Sequence, residues 1–289
     1  MTFKDLKKRV SLEITTQQSK LFVGLHYKPF WIWNTEEHKQ AEIRTNGRCC
    51  FNHIIGLPQK DGIDKPLYDY EGIIFDSLVT QNGNDNYSSG NKHLWIKKAT
   101  GLGVSEFMLR FMAWLCIKDD KLSDSQMCIV TGPRIDLAIA LIDRMKKLFA
   151  DKGLISFDTK ETVIELNGIK IEAFPLHHLD AMRGLPNVSF ILLDEADFFP
   201  PGQQQDARDV SERYIAKSNP YIVMVSTPNA PDGLFETIEK EAEDTCLYKR
   251  IFLDYTYGIG KIYTVEEMME HWIKKQHLIM TYLMHLDWL

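Results

Sequence analysis

Cysteine is scarce: five residues in a chain of 289, too few and too scattered for a disulfide framework. Their number is odd and only Cys49 and Cys50 are adjacent, a pattern of reduced thiols that points to the cytoplasm. No second ligand pair stands at zinc spacing from Cys49-Cys50-x-x-His53, so packing rather than a metal is expected there. No apolar run approaches the roughly 18–20 residues needed to cross a bilayer, and no membrane partner is expected. The N-terminus, Met1 to Ile14, is charged and lacks the apolar segment of a secretory signal. Positive charge is not in excess either, the formal net charge being −6. That argues against a protein that coats nucleic acid, but not against one that meets it through a small face or as a ring. Internal repeats and low-complexity segments are absent.

What remains is an ordinary globular composition, 44% apolar and 26% charged. The length suffices for a large core with appendages. Up to about residue 90 the pattern is irregular. Asn34 followed by Glu37 suits the start of a short helix over 35–45, and apolar spacing predicts another over 69–79. Residues 81–91 read as a polar, glycine-rich loop.

From there strand and helix alternate. Strands are expected at 93–97, 127–131, 162–166, 169–174, 188–193 and 220–226, and helices at 105–118, 135–150 and 204–217. The short continuous apolar runs at 127–131, 189–193 and 221–226 suit parallel strands buried on both faces. Between 162 and 174 two alternating runs flank Asn167-Gly168, the favoured two-residue hairpin turn. The expected fold class is α/β, a mainly parallel central sheet flanked by helices, with an inserted β-hairpin. A strand-like run near 248–257 and a helix from Val265 close the chain.

Four segments can carry chemistry. In the first, the strand His93 to Ile96 runs into Lys97-Lys98-Ala99-Thr100-Gly101-Leu102-Gly103-Val104-Ser105, and a helix follows. Glycines let a backbone close around phosphate oxygens while the helix presents its positive end. The common form of such a loop, G-x-x-x-x-G-K-S/T, has lysine just before the hydroxyl residue. Val104 holds that position here, so Lys98 or Lys97 must supply the charge, and Ser105 would offer its hydroxyl to Mg²⁺. A turn that merely packs is the alternative.

In the second, the apolar strand Phe190 to Leu193 ends in Asp194-Glu195. Such a strand delivers Asp194 to the ligand edge of an open sheet, where it can hold a metal, and Glu195 can activate water. The third, Ser226-Thr227-Pro228-Asn229, places hydroxyls beside that carboxylate if the strands are neighbours. They could sense a terminal phosphate, or simply close a strand. The fourth is Arg183-Gly184, a candidate transition-state arginine or a solvated one.

In chain order, with Arg183-Gly184 between the phosphate loop and Asp194-Glu195 and Ser226 to Asn229 last, the segments resemble the ATPase domain of the large subunit of phage terminase, over roughly residues 60–260. That family places an adenine-binding segment first, matched by Tyr68-Asp69-Tyr70-Glu71, although glutamine usually stands where Glu71 does. Some members open the phosphate loop with a lysine seven residues before the serine, which matches Lys98 and Ser105.

The resemblance implies an N-terminal extension (1–60), a P-loop ATPase domain (61–258) and a linker helix (259–289). It implies ATP and Mg²⁺ as cofactors. Lys97 to Ser105, Tyr70 and Glu71 would bind nucleotide, and Ser105 and Asp194 would bind metal. Lys98, Arg183 and Glu195 would be catalytic, and Ser226 and Thr227 would couple. The implied activity is hydrolysis of ATP to move double-stranded DNA into a procapsid. The implied partners are a homo-oligomeric ring, a portal and a small terminase subunit, in the host cytoplasm. About thirty residues after Tyr257 leave no room for the family's nuclease fold, so no nuclease activity is expected of this chain. A helicase-like ATPase and a non-hydrolysing nucleotide-binding module are the alternatives.

Overall fold

The runs that read as buried strands hydrogen-bond into one sheet. The computed structural model describes residues 57–58, 64–65, 68–82, 86–118, 121–151, 157–229, 231–260, 262 and 264–267. The helix expected over 35–45, the Cys49/Cys50/His53 group and the 1–60 extension lie outside these residues, apart from 57–58. So does the expected C-terminal helix beyond its first turn, 265–267. That turn carries a reciprocal cap, Thr264 N–H to Glu267 Oε2 at 2.9 Å and Glu267 N–H to Thr264 Oγ1 at 3.1 Å.

Two short strands, β1 (Leu57–Pro58) and β2 (Asp64–Lys65), pair antiparallel and precede helix α1 (Asp69–Leu78). The polar segment read as a loop at 81–91 is in part a ribbon, β3 (Val79–Asn82) antiparallel to β4 (Asn86–Ser89). Apolar periodicity is weak there, so pattern alone gave no strand.

The main sheet has eight strands: β5 (His93–Lys98), β6 (Gln126–Thr131), β7 (Phe157–Lys160), β8 (Val163–Leu166), β9 (Ile169–Pro175), β10 (Val188–Asp194), β11 (Tyr221–Ser226) and β12 (Lys249–Leu253). Their spatial order is β12-β5-β11-β10-β6-β9-β8-β7. The six strands from β12 to β9 are parallel, and β8 and β7 add antiparallel at one edge. Of the strand-like run near 248–257, Lys249–Leu253 is therefore a parallel edge strand beside β5, while Tyr255–Gly258 forms a 3₁₀ turn.

Helices α2 (Val104–Lys118), α3 (Ile135–Asp151), α4 (Gln203–Lys217) and α5 (Leu234–Lys240) cross over between strands. A 3₁₀ segment (Leu176–Gly184) leads into β10. Neither it nor α5 was expected, both being too short to show a helical period. Among the described residues no helix is long and apolar enough to cross a membrane.

Side chains alternate across each strand, and the two faces bury separate cores. Leu94, Ile96, Leu192, Val223 and Val225 pack with α1, α2 and α3, around Phe107, Phe111 and Trp114. Trp95, Ile191, Leu193, Ile222 and Met224 pack with α4, α5 and the 3₁₀ segment, around Val210, Tyr214 and Phe235. This alternation sends adjacent residues at a strand end to different layers.

The hairpin turn is as the sequence implies. Asn167 and Gly168 have φ of 57° and 76°, and Leu166 pairs with Ile169. Asn167 also donates from Nδ2 to the Cys116 carbonyl of α2 at 2.7 Å. A Cβ at Gly168 would find space but not a relaxed backbone. Gly168→Ala is expected to lose about 1–2 kcal/mol from left-handed strain, read as a lower urea midpoint at unchanged slope.

Candidate active site

The loop 99–103 joins β5 to α2. Gly101 and Gly103 have φ of 84° and 71°, a left-handed region that favours glycine. These two turns let the chain leave the sheet edge and start α2 at once; the Gly103 carbonyl accepts the Phe107 N–H at 2.9 Å. Three contacts fix the loop. Leu102 and Val104 are fully buried. The Tyr70 hydroxyl donates to the Leu102 carbonyl at 2.8 Å, and the Ala99 N–H donates to the Leu253 carbonyl of β12 at 2.7 Å. Val104 thus points into the core, and a lysine at that position would bury its ammonium there.

Lysine arrives instead from the strand. Lys98 continues the face of Leu94 and Ile96, the α2 side, while Lys97 continues that of Trp95, the α5 side. Lys98, only 6% exposed, places Nζ 2.6 Å from Glu195 Oε1 and donates to Thr227 Oγ1 at 3.2 Å. Lys97 Nζ pairs with Glu239 of α5 at 2.6 Å. The two candidate lysines are thereby separated, and Lys98 belongs to the cluster.

Asp194 ends β10 on the same face as Lys98, and its Oδ1 accepts the Ser105 hydroxyl at 2.6 Å. Burial raises its pKa, and the Glu195 charge raises it further; the Ser105 hydrogen bond, Lys98 and Arg144 act the other way. Simple alternation would turn Glu195 to the opposite layer. Its backbone is left-handed instead, φ 52° and ψ 46°, which breaks the alternation. Glu195 Oε1 meets Lys98, while Oε2 accepts the Thr227 N–H at 3.1 Å and the Ser226 hydroxyl at 3.4 Å. Strand β11 lies between β5 and β10, so Ser226 and Thr227 fall between the lysine and the carboxylates.

Ser105 Oγ and Asp194 Oδ1 are adjacent hard oxygens, a donor pair that fits Mg²⁺. Among the described residues no group of three or more His, Cys, Asp or Glu forms a metal cage. A cation on this pair would take its other oxygens from ligand and water, which is how Mg²⁺ is commonly held.

The remaining candidates stand apart from this cluster. Tyr70 and Glu71 are buried, and Glu71 Oε2 accepts the Tyr68 N–H at 2.8 Å at the start of α1. Tyr70 stacks on Tyr68 and meets Tyr257 edge-on, with centroids at 5.6 and 6.4 Å. In this arrangement the Tyr70 phenol braces the loop and the Glu71 carboxylate caps α1. Arg183, half-exposed at the end of the 3₁₀ segment, pairs with Asp180 at 2.8 Å and makes no contact with Lys98, Asp194 or Glu195.

Sequence reasoning missed a second polar layer. Asp197 lies on the turn after Glu195; its N–H donates to Ser226 Oγ at 3.1 Å and its carboxylate accepts the Asn229 N–H at 2.5 Å. Gln204, at the start of α4, donates to the Asp197 and Phe199 carbonyls at 3.1 and 2.9 Å. Asp197 was visible as a further acid just after a strand end; nothing in the sequence marks Gln204. Glu106, beside Ser105, was missed as well. It accepts Arg110 at 3.0 Å and two nitrogens of Arg144 at 2.7 and 3.2 Å.

A carboxyl whose folded pKa is raised costs stability once the pH passes its unfolded value, and the full cost is present above the folded value. Asp194→Asn is therefore expected to raise the thermal midpoint in EDTA at pH 7. The difference should disappear below the ordinary carboxylate range. A variant no more stable than wild type at neutral pH would contradict this electrostatic reading.

No protein-family model and no curated protein matches this sequence. Solved structures do. The HK97 bacteriophage large terminase matches with a TM-score of 0.61 at 12% identity, over 80% of this chain and 52% of that one. The large terminase of a thermophilic bacteriophage matches with a TM-score of 0.54 at 11% identity, over 72% of this chain and 50% of that one. The chain spans about half the length of these two terminases. Likeness at such identity speaks to the fold alone: this chain shares its architecture with part of each of these phage large terminases.

Proposed function

We propose that this chain is the ATP-hydrolysing motor domain of a terminase-like large subunit, driving double-stranded viral DNA into a procapsid. The observation that carries this reading is the convergence of Lys98, Ser105, Asp194, Glu195 and Thr227 at the ends of three adjacent parallel strands and the start of α2. A buried cation, a hydroxyl–carboxylate pair and a second carboxylate are the parts phosphoryl transfer to water needs.

On this reading Lys98 and the amides of the loop hold the β- and γ-phosphates. Ser105 and Asp194 would hold Mg²⁺, which supplies charge neutralisation at the phosphate oxygens. A γ-phosphate drawing Lys98 away frees Glu195 Oε1. Glu195 then orients a water and accepts its proton as oxygen attacks phosphorus and the β–γ bridging bond breaks. Thr227 touches both Lys98 and Glu195, so it responds to the arrival and loss of phosphate. Arg183 is exposed on the surface, as a residue acting on a neighbouring subunit's ATP must be. The assembled form would be a ring around the duplex, docked on a portal and fed by a small subunit. A ring can meet DNA through a limited inner face, which suits a chain of net charge −6.

Mg²⁺-dependent phosphate release, measured with and without duplex DNA, tests the proposal. Glu195→Ala should keep ATP binding and lower turnover by about 10²–10⁴-fold. Lys98→Ala should abolish hydrolysis, while Lys97→Ala should matter far less. Full activity in Glu195→Ala, or no ATP binding by wild type, would sink the assignment. Arg183→Ala mixed with Glu195→Ala should recover turnover that neither has alone, if the arginine acts between subunits. Strand separation of short duplexes would move the reading towards a helicase.

A further inference from the structure

We infer that Gln204 and Glu239 are positioning residues that make helix α5 the mechanical output of the site; this rests on the proposed nucleotide function. The helix lies on the opposite face of the sheet from the phosphate loop. It is nonetheless tied to both sides of the Lys98–Glu195 cluster.

One tie starts at the catalytic turn. Glu195 Oε2 holds the Thr227 N–H, the Ser226 hydroxyl lies 2.9 Å from the Thr227 carbonyl and 3.4 Å from Glu195 Oε2, and Ser226 Oγ receives the Asp197 N–H. Asp197 in turn holds the Asn229 N–H, so the turn after β10 and the loop after β11 move as one piece. Gln204 is 7% exposed and grips that piece through the Asp197 and Phe199 carbonyls. Its Oε1 accepts the Leu234 N–H at 2.8 Å, the first residue of α5. One side-chain amide therefore bridges the catalytic turn and the helix start.

The other tie starts at the phosphate loop. Lys97, the neighbour of Lys98 on β5, pairs with Glu239 near the end of α5. Trp95 of the same strand packs on Phe235 of α5, with ring centroids 4.7 Å apart. A displacement of the loop end of β5 and a displacement of the Glu195 turn thus reach the same seven-residue helix.

The helix is built to respond. Only Phe235 and Ile238 are buried, so a small shift sacrifices little apolar contact. A cleft of about 410 Å³ lined by Lys97, Asp197, Asn229, Phe235, Glu236 and Glu239 leaves space on its inner side. Its far end is held by polar contacts that can pivot. Arg250 of β12 donates to the Ile238, Glu239 and Glu241 carbonyls at 3.2, 2.8 and 2.7 Å. Arg208 of α4 pairs with Glu241 at 2.7 Å. The Lys97–Glu239 pair is about one-third exposed, so its removal costs the fold little.

Hydrogen–deuterium exchange over residues 234–240 of the full chain, with and without Mg-ATPγS, tests this. In wild type the nucleotide should alter exchange there by about fivefold or more, the scale of a typical coupling between sites. In Glu239→Gln and Gln204→Leu the response should collapse, while affinity for Mg-ATPγS stays within about threefold of wild type. A charge-exchanged Lys97→Glu/Glu239→Lys double variant should regain part of the response. If wild type binds Mg-ATPγS and α5 does not respond, or if Glu239→Gln responds like wild type, the inference is overturned while the nucleotide reading stands. If wild type binds no Mg-ATPγS, both fall. Gln204→Leu leaves the Phe199 carbonyl and the Leu234 N–H without their partner; should it fail to fold, Glu239→Gln decides alone.

Discussion

The ion pair between Lys98 and Glu195 is the interaction on which the arrangement of the site depends. It joins the end of β5 to the residue after β10, across the intervening strand β11. An ammonium as enclosed as that of Lys98 needs a partner, because burial of an isolated charge costs far more than one contact returns. Glu195, more exposed, supplies that partner and keeps an edge open to solvent. The pair is therefore asymmetric: the lysine is committed to the interior, while the carboxylate can leave if a better anion arrives. A triphosphate is such an anion, with more charge and more oxygens than one carboxylate. That asymmetry gives the proposed function a physical trigger.

Strand order makes the trigger legible elsewhere. With β11 between the lysine and the carboxylates, its terminal residues touch both. Thr227 meets Lys98 through its hydroxyl and Glu195 through its N–H. Had β10 lain next to β5, the same residues would have sat on the far side of the carboxylates, with no view of the lysine. The left-handed backbone at Glu195 is the second requirement. It turns the carboxylate back across the sheet edge against the strand's own alternation. A non-glycine residue in that conformation carries local strain, and the several hydrogen bonds onto its side chain and the following turn hold it there.

Much of this was readable in the sequence, for physical reasons that differ by element. The parallel strands were visible because burial on both faces forces continuous apolar runs, as in Phe190 to Leu193. The hairpin was visible because Asn167-Gly168 tolerates two successive positive φ angles. From the residues alone Lys98 and Lys97 were equivalent; the resemblance favoured Lys98, through its seven-residue spacing to Ser105. The fold places the two lysines on opposite faces because side chains alternate along a strand. Short elements were not readable. Seven residues of α5 hold too few turns for a period to emerge, and β7 has no clear alternation. Nor was the layer of Asp197, Gln204 and Asn229, which is closed by contacts to backbone groups about thirty residues away. Tyr70 and Glu71 show a further reason. A motif records which residues occur together, but only packing reveals that here the phenol props the loop and the carboxylate caps a helix.

The position of the lysine follows from the core. In the common loop the lysine starts the helix and so rides on it. In this chain the first helical residue, Val104, is wholly buried beneath the loop, and Leu102 with it. Those two apolar side chains anchor the turn to the core, and the basic residue has to come from the other end of the loop. A lysine on β5 rides on a strand held by ladders to β11 and β12, and Lys98 itself pairs with Leu253 of β12. Its charge is therefore referenced to the sheet rather than to a helix end. The neighbouring residue on such a strand necessarily points to the opposite layer, where Lys97 meets Glu239. Moving the lysine from helix to strand thus solves a packing problem on one face and creates, by alternation alone, a charged contact on the other.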